Sequence, residues 1–233
     1  MRHSIYNYIK VLYGVSQKFL FQLFPKSIFY EKTVINTLLK ISLYSEALYW
    51  KSWIRSKAFG DFYTFECELN KSKDFPGNLR KLLKDNQRRY DILDVGSGPI
   101  SVLGYNWTDK SISLIPVDPL AVAYNNALDK SGIIPPVKTI YAQAESLTKH
   151  FPENNFDLVH ASNSIDHCFN PVIAIEQMLK VVKSGCYIYL KHFINEADNE
   201  NYAGMHTWNF NKINNDFIIR NVRKQYNVSE IFK

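Results

Sequence analysis

Tyr90-Asp91-Ile92-Leu93-Asp94-Val95-Gly96-Ser97-Gly98-Pro99-Ile100 is the stretch on which the reading of the fold turns. Ile92, Leu93 and Val95 make a short apolar run that reads as a buried strand. Asp94 stands at its end, and a Gly-x-Gly turn follows at once. Glycine has no Cβ, so the backbone turns sharply there and a ligand can lie against it. A strand that ends in such a turn, with a helix behind it, is how open α/β sheets hold a nucleotide-like group at the strand's carboxyl end. The predicted class is therefore α/β, with a Rossmann-like sheet.

Downstream the texture alternates between strand and helix, as a parallel sheet requires. Strands are predicted at Ser113 to Val117, Val137 to Ala142, Phe156 to Ala161 and Tyr187 to His192. A helix is predicted from Leu120 to Lys130, with Gly132 just past its end. Asn170 followed by Pro171 reads as an N-cap with proline at the first helical position. The helix it opens turns Ile175, Met178, Leu179 and Val182 inward, and Lys183-Ser184-Gly185 closes it. Asp216 to Ile219 and Val228 to Phe232 read as closing strands.

Upstream, residues 1–85 carry helical patterns and no strand pattern. Val34, Ile35, Leu38, Leu39 and Ile41 form one stripe, and Leu43, Ala47, Trp50 and Ile54 share a helix face. Gly60 ends that segment, Pro76-Gly77 makes a turn, and Asn78 caps a short helix from Leu79 to Asp85. Two regions follow: a helical N-terminal cap over 1–85 and a ligand-binding domain over 86–233.

Composition is that of a globular chain of 233 residues, 46% hydrophobic and 21% charged. The net charge of +6 leaves room for an acidic partner or a solvated basic surface. Cys67, Cys168 and Cys186 have no paired spacing and read as reduced thiols in a cytoplasmic protein. Ile5 to Phe24 is apolar but is interrupted by Lys10 and Lys18, which argues against a spanning helix. An amphipathic helix fits better, packed on the chain's own core or in peripheral contact with the inner face of a membrane through residues 5–24.

Asp94-Val95-Gly96-Ser97-Gly98 resembles motif I of the class I S-adenosylmethionine-dependent methyltransferases. Asp118 closes the second strand, 24 residues after Asp94, as the family's acidic residue does. A carboxylate there can accept hydrogen bonds from ribose hydroxyls. Ala142 to Leu147 looks like the adenine-side segment, with Gln143 where the family often has Asp. Phe156 to Ala161 looks like motif IV, and Lys180 to Cys186 resembles the Leu-Lys-Pro-Gly-Gly turn with Ser184 and Cys186 substituted. The resemblance spans about residues 88–192. It implies S-adenosyl-L-methionine as cofactor, held by Asp94, Gly96, Ser97, Gly98, Asp118, Pro119, Gln143, Ala144, Glu145, Ser162 and Asn163.

The rival is an NAD-dependent oxidoreductase, whose Gly-x-Gly-x-x-Gly fingerprint needs a third glycine where this chain has Ser101. Pro99 also removes a backbone N–H that a pyrophosphate would use. A catalytically degenerate binding or membrane-associated scaffold is the non-enzymatic alternative.

Asp166 and His167 follow the fourth strand, at the carboxyl edge to which the methyl donor would point. Methyl transfer to a hydroxyl needs a proton acceptor, and imidazole is suited to that near neutral pH. His167 is therefore the candidate general base and Asp166 its orienting partner, with His192 and His206 facing the acceptor. Polar and aromatic residues after the fifth strand, Trp208 among them, suit a small or saccharide acceptor, and the segment loosely resembles methyltransferases of bacterial surface-polysaccharide clusters. His160, inside the fourth strand, reads as a packed core residue. His192, Glu196 and His206 match no metal-motif spacing, so no metal is expected. Ser162-Asn163-Ser164-Ile165 lacks the Pro-Pro-aromatic signature of nucleic-acid amine methylation, and no nucleic-acid partner is expected.

Overall fold

The structure is a computed structural model that describes residues 28–84, 86–202 and 204–233. The amphipathic reading of residues 5–24 lies outside the described residues. In chain order the elements are α1 (Ile28–Arg55), α2 (Phe62–Leu69), α3 (Gly77–Arg80), β1 (Arg89–Val95), β2 (Asn106–Trp107) and β3 (Lys110–Val117). They continue with α4 (Ala121–Lys130), β4 (Phe156–Ser162), α5 (Pro171–Val181), β5 (Val182–Lys191) and α6 (Glu196–Asn199). The last are β6 (Asn209–Ile213), β7 (Asp216–Arg220), β8 (Gln225–Asn227) and α7 (Val228–Ile231). Among the described residues no helix is long and apolar enough to cross a membrane.

The chain divides into two compact units. One comprises Trp50–Ile165 and Ile173–Lys191 and holds a five-stranded sheet in the order β2-β3-β1-β4-β5. Residues 50–84, grouped with the N-terminal cap by the sequence, belong to this unit. β1 runs parallel to β3 on one side and to β4 on the other. Ile92 pairs with Leu114 and Leu158, and all three are buried. Strands covered on both faces read as continuous apolar runs, which is why β1 and β4 were legible. The register sets Val95 level with Val117 and Ala161, so Gly96, Asp118 and Ser162 leave the sheet along one carboxyl edge.

Three expectations fail in this unit, each for a local reason. No helix follows the glycine turn. Residues 98–105 run as irregular chain, with Ile100 and Leu103 buried. Gly104 then lies against the backbone of Lys73 and Asp74, where an added Cβ would sit 2.2 Å from the Asp74 carbonyl oxygen. That passage leads into β2, whose Trp107 stacks on Tyr90 at 5.3 Å, a pairing the sequence did not disclose. The strand expected at Val137 to Ala142 is reduced to a single bridge, Val117 to Ile140. The Ile140 N–H donates to the Pro116 carbonyl, and the Asp118 N–H donates to the Ile140 carbonyl. The next donor toward the chain start would be Pro116, which has no N–H. Finally, α3 begins at Gly77 without a side-chain cap, and Asn78 donates instead to the Tyr189 hydroxyl at 3.3 Å.

Asn170 does cap α5, accepting the Val172 N–H at 3.1 Å. Ile175 and Met178 point inward as expected, whereas Leu179 is 41% exposed and its expected core place is taken by Ala174 and Val181. Gly185, at φ +70, lies within β5 rather than ahead of it.

The other unit comprises Met1–Tyr49, Asp166–Val172 and His192–Lys233. Its described part holds an antiparallel sheet in the order β6-β7-β8. Asn214 and Asn215, at φ 50 and 71, make the two-residue turn between β6 and β7. β7 fulfils the strand expected at Asp216 to Ile219. The strand expected at Val228 to Phe232 is instead α7, because Asn227 accepts the Glu230 N–H and starts a helix.

Candidate functional site

The glycine turn is built from its own backbone bonds. The N–H groups of Gly96 and Ser97 both donate to the Val117 carbonyl, at 2.8 and 3.1 Å. The Gly98 N–H donates to Asp118 Oδ2 at 3.2 Å. The next residue, Pro99, has no N–H. Every backbone donor from 96 to 99 is thus used internally or missing, and the turn offers none to a phosphate. Gly96 and Gly98 sit at φ +69 and +67, where a side chain is strained. A Cβ at Gly96 would also lie 2.3 Å from the Ser164 Cβ.

Asp118 closes β3 with its carboxylate accepting Gly98 N–H through one oxygen and Leu120 N–H, at 2.8 Å, through the other. Those bonds fix the acidic group beside the turn. Thr139 fixes the turn from the other side: its hydroxyl donates to the Gly98 carbonyl at 2.9 Å and lies 3.3 Å from the Ser97 hydroxyl. Ser164 donates to the Val95 carbonyl at 3.0 Å. Gln143 is exposed after the single bridge, ahead of the 3-10 turn Ala144–Lys149 that contains Glu145. Asn163 is exposed just past β4, at φ 48, with its N–H bonded to the Lys191 carbonyl. Ser162 ends β4, and Pro119 follows Asp118.

Asp94 is tied into the protein beneath the turn. It was expected to contact the cofactor, but it is 2% exposed and both carboxylate oxygens are engaged. Ser101 Oγ donates to Oδ2 at 2.5 Å, and His160 Nδ1 lies 2.7 Å from Oδ1. The carboxylate braces the turn from within. Ser101, read only as a missing glycine, is one of its donors, and it also accepts the Leu103 N–H at 3.1 Å. His160, read as a core residue with no further part, is the other partner of Asp94. Thr139 and Trp50, whose ring lies 3.6 Å from the position of a Gly98 Cβ, were missed. Only a three-dimensional register brings them to the turn.

The second cluster lies in the unit that holds β6 to β8. Asp166 and His167 sit on the 3-10 turn Ile165–His167. Thr207 donates to the Asp166 carbonyl from its N–H and from its hydroxyl, both at 3.2 Å, and Trp208 Nε1 donates to the Cys168 carbonyl at 3.0 Å. These bonds bring His206 Nδ1 to 2.8 Å from Asp166 Oδ2. His167 Nε2 lies 3.2 Å from the same His206 nitrogen and 3.4 Å from Asp166 Oδ2. His192, stacked on Phe210 at 4.3 Å, directs Nδ1 toward Asp166 Oδ1 from 3.5 Å. All four residues expected to do chemistry are therefore in one cluster. Trp208, expected against the acceptor, is 5% exposed and packs on Tyr226 at 5.8 Å. Glu196 is no part of the cluster and begins α6.

Burial pushes against the charge on Asp166, but the neighbouring His167, His192 and His206 outweigh it and hold the carboxyl well below its usual range. Burial also pulls His167 below the ordinary imidazole value, with Asp166 offsetting only part of that. Near neutral pH the arrangement is a carboxylate beside a neutral His167 imidazole, with a lone pair available to a proton or to a metal ion.

The methyltransferase domain family model matches residues 93–190, from within β1 to the end of β5. No curated protein matches the chain. Among solved structures it is similar to the YcgJ protein of Bacillus subtilis, with 19% identity, 53% of this chain, 52% of that one and a TM-score of 0.37. The chain thus spans about half the length of that protein. It is also similar to an S-adenosylmethionine-dependent methyltransferase of Methanococcus maripaludis, with 15% identity, 67% of each chain covered and a TM-score of 0.41. A third likeness is to the trans-methyltransferase CalH in complex with SAH, with 15% identity, 51% of this chain, 36% of that one and a TM-score of 0.40. The matched segment contains the whole of the glycine turn, Asp118 and the carboxyl edge of β4, and it lacks phosphate-binding donors in the turn. Residues 93–190 of this chain match the methyltransferase domain family.

Proposed function

We propose that the protein transfers a methyl group from S-adenosylmethionine to a hydroxyl of a small or saccharide acceptor, with His167 as general base. The observation that carries this reading is the buried Asp166 carboxylate beside His206 Nδ1 at 2.8 Å and His167 Nε2 at 3.4 Å. When bound, S-adenosylmethionine supplies an electrophilic methyl group on a sulfonium. The chain's own residues do the rest. Gly96, Ser97 and Gly98 give the cofactor a backbone surface without bulk, and Asp118 and Pro119 supply the acidic strand end. Gln143, Ala144 and Glu145 line the adenine side, and Ser162 and Asn163 lie at the end of β4. Asp94 holds this turn through Ser101 and His160.

On the acceptor side, His167 takes the hydroxyl proton as the new carbon–oxygen bond forms. Asp166 stabilises the resulting imidazolium, because a buried carboxylate favours a positive neighbour. His206 fixes the carboxylate's direction, and His192 and His206 face the acceptor. Positioning of donor and acceptor contributes about 7–11 kcal/mol in well-aligned systems, more than the roughly 10²–10⁴-fold gained from a general base. Loss of His167 should therefore slow the reaction without abolishing it. The reading also keeps residues 1–85 as a cap, residues 5–24 as a peripheral membrane contact and the cytoplasm as the compartment, and it assigns no nucleic-acid partner.

The test is a methyl-transfer assay with labelled S-adenosylmethionine and a panel of hydroxylated acceptors. His167→Gln is expected to lower kcat by about 10²–10⁴ while cofactor affinity stays within twofold. Unchanged kcat in that variant, or transfer only to amines or thiols, would contradict the reading.

A further inference from the structure

We propose that Asp166, His167 and His206 form a binding site for one divalent transition-metal ion such as Zn²⁺, with His192 positioning the carboxylate from behind. His206 Nδ1, His167 Nε2 and Asp166 Oδ2 make a triangle with edges of 2.8, 3.2 and 3.4 Å. With metal–ligand bonds of about 2.0–2.2 Å, neighbouring ligand atoms are roughly 2.9 Å apart in an octahedron and about 3.4 Å apart in a tetrahedron. The observed edges span that interval. Two imidazoles and one carboxylate make a donor set for a borderline divalent metal. These three residues are also the group of described side chains whose ligand atoms all lie within 4.8 Å of one another.

Protons alone satisfy this triangle poorly. Asp166 Oδ2 is an acceptor while ionised. If only His206 Nδ1 carries a proton, the lone pair of His167 Nε2 faces the carboxylate oxygen. If only His167 Nε2 carries one, the lone pair of His206 Nδ1 faces that oxygen at 2.8 Å. If both do, two N–H groups face each other at 3.2 Å. Each arrangement leaves one edge with like against like. A cation at the centre of the triangle removes the conflict on all three edges.

An independent observation points the same way. The His192 side chain is 5% exposed, yet neither of its ring nitrogens has a hydrogen-bond partner among the described residues. Asp166 Oδ1, the oxygen it faces at 3.5 Å, is likewise buried and unpartnered. Two unmet polar groups aimed at each other are costly in a buried place. They are explained if a metal on Oδ2 draws the carboxylate into a settled orientation in which His192 donates to Oδ1. Such a partner behind a ligating carboxylate commonly accounts for a 10- to 100-fold share of metal affinity.

The inference concerns the same cluster as the proposed function and changes how that cluster works. His167 Nε2 cannot hold a metal and accept a proton at once, so its role as base belongs to the metal-free protein. The two claims separate experimentally, because the readout here is bound metal rather than turnover. The full chain is stripped with a chelator, checked for native circular dichroism and titrated with Zn²⁺ by calorimetry and with Co²⁺ by visible absorption.

One equivalent per chain is expected, with a ligand-field spectrum for Co²⁺. His206→Asn and His167→Gln keep a neutral polar group near each ring nitrogen and should fold. Each is expected to weaken binding at least 100-fold, and His192→Phe about 10- to 100-fold. A folded wild type that binds no metal, or binding that persists undiminished in both ligand variants, would overturn the site. An absence of methyl transfer with metal still bound would overturn the proposed function alone.

Discussion

A carboxylate set among imidazoles and a carboxylate sealed beneath a glycine turn do different work, and the difference lies in what each oxygen meets. Asp94 is fully engaged by Ser101 and His160. Ser101→Ala removes a donor from a buried charge, so unfolding in urea should show a loss of about 1–3 kcal/mol. A loss under about 0.5 kcal/mol, half the usual hydrogen-bond contribution, would mean that the Asp94 brace is unimportant. Asp166 meets His206 at 2.8 Å through one oxygen, and its other oxygen faces His192 at 3.5 Å. Asp166, His167, His192 and His206 were singled out because each lies at or beyond the end of a predicted strand and each is a type that can move protons. The supporting residues were not. Ser101 was read for the glycine it replaces, and His160 for its place in an apolar strand. Thr139 has no signal in the sequence, since its contact with Gly98 spans 41 positions and depends on how the chain returns to β3.

Strands buried on both faces declare themselves in sequence, and elements shaped by one proline or one close approach do not. β1 and β4 were placed within two residues of their ends, whereas the helix expected after the glycine turn is absent and the third strand is a single bridge. Pro116 and Gly104 decide those outcomes through a missing donor and a backbone contact that no periodicity carries. The hairpin of β6 and β7 did have a signal, because Asn214-Asn215 between two short alternating runs is a two-residue turn pair. The turn itself gives a sharp test. Gly96→Ala sets a Cβ 2.3 Å from the Ser164 Cβ and strains a positive φ. Its melting temperature should fall, and cofactor affinity should drop at least tenfold. Adding Ser164→Gly should restore part of the stability, since it relieves the overlap but not the φ. No recovery in the double variant would show that the overlap is not what fixes glycine at 96. In the other unit, burial and then Asp198 push the Tyr202 phenol up to about 12 from its ordinary 10.0. The folded state therefore holds that proton more tightly than the unfolded chain. The associated stability is complete below about pH 10 and is lost as pH rises toward 12. Tyr202→Phe should flatten the alkaline fall in urea-unfolding stability over that window, and an unchanged slope would assign the fall to other groups.

At the scale of the molecule, the chain separates into a unit that carries the glycine turn and a unit that carries the imidazole cluster. The first was legible as a family because its motifs are ordered along the sheet's carboxyl edge, and residues 93–190 match the methyltransferase domain model. The second was legible only as a collection of polar and aromatic residues, since the pairing of segment 166–168 with segment 204–208 crosses about 40 positions. The cofactor is written in the first, and its central claim is that the turn holds a phosphate-free nucleoside. Every N–H from Gly96 to Gly98 is bonded internally, and Pro99 has none to give. The most direct measurement is calorimetric titration of the full chain with S-adenosylhomocysteine and, separately, with NADH. Micromolar binding of S-adenosylhomocysteine at one site, lost with Asp118→Ala, and no binding of NADH are the predicted results. Binding of NADH with none of S-adenosylhomocysteine would contradict the account.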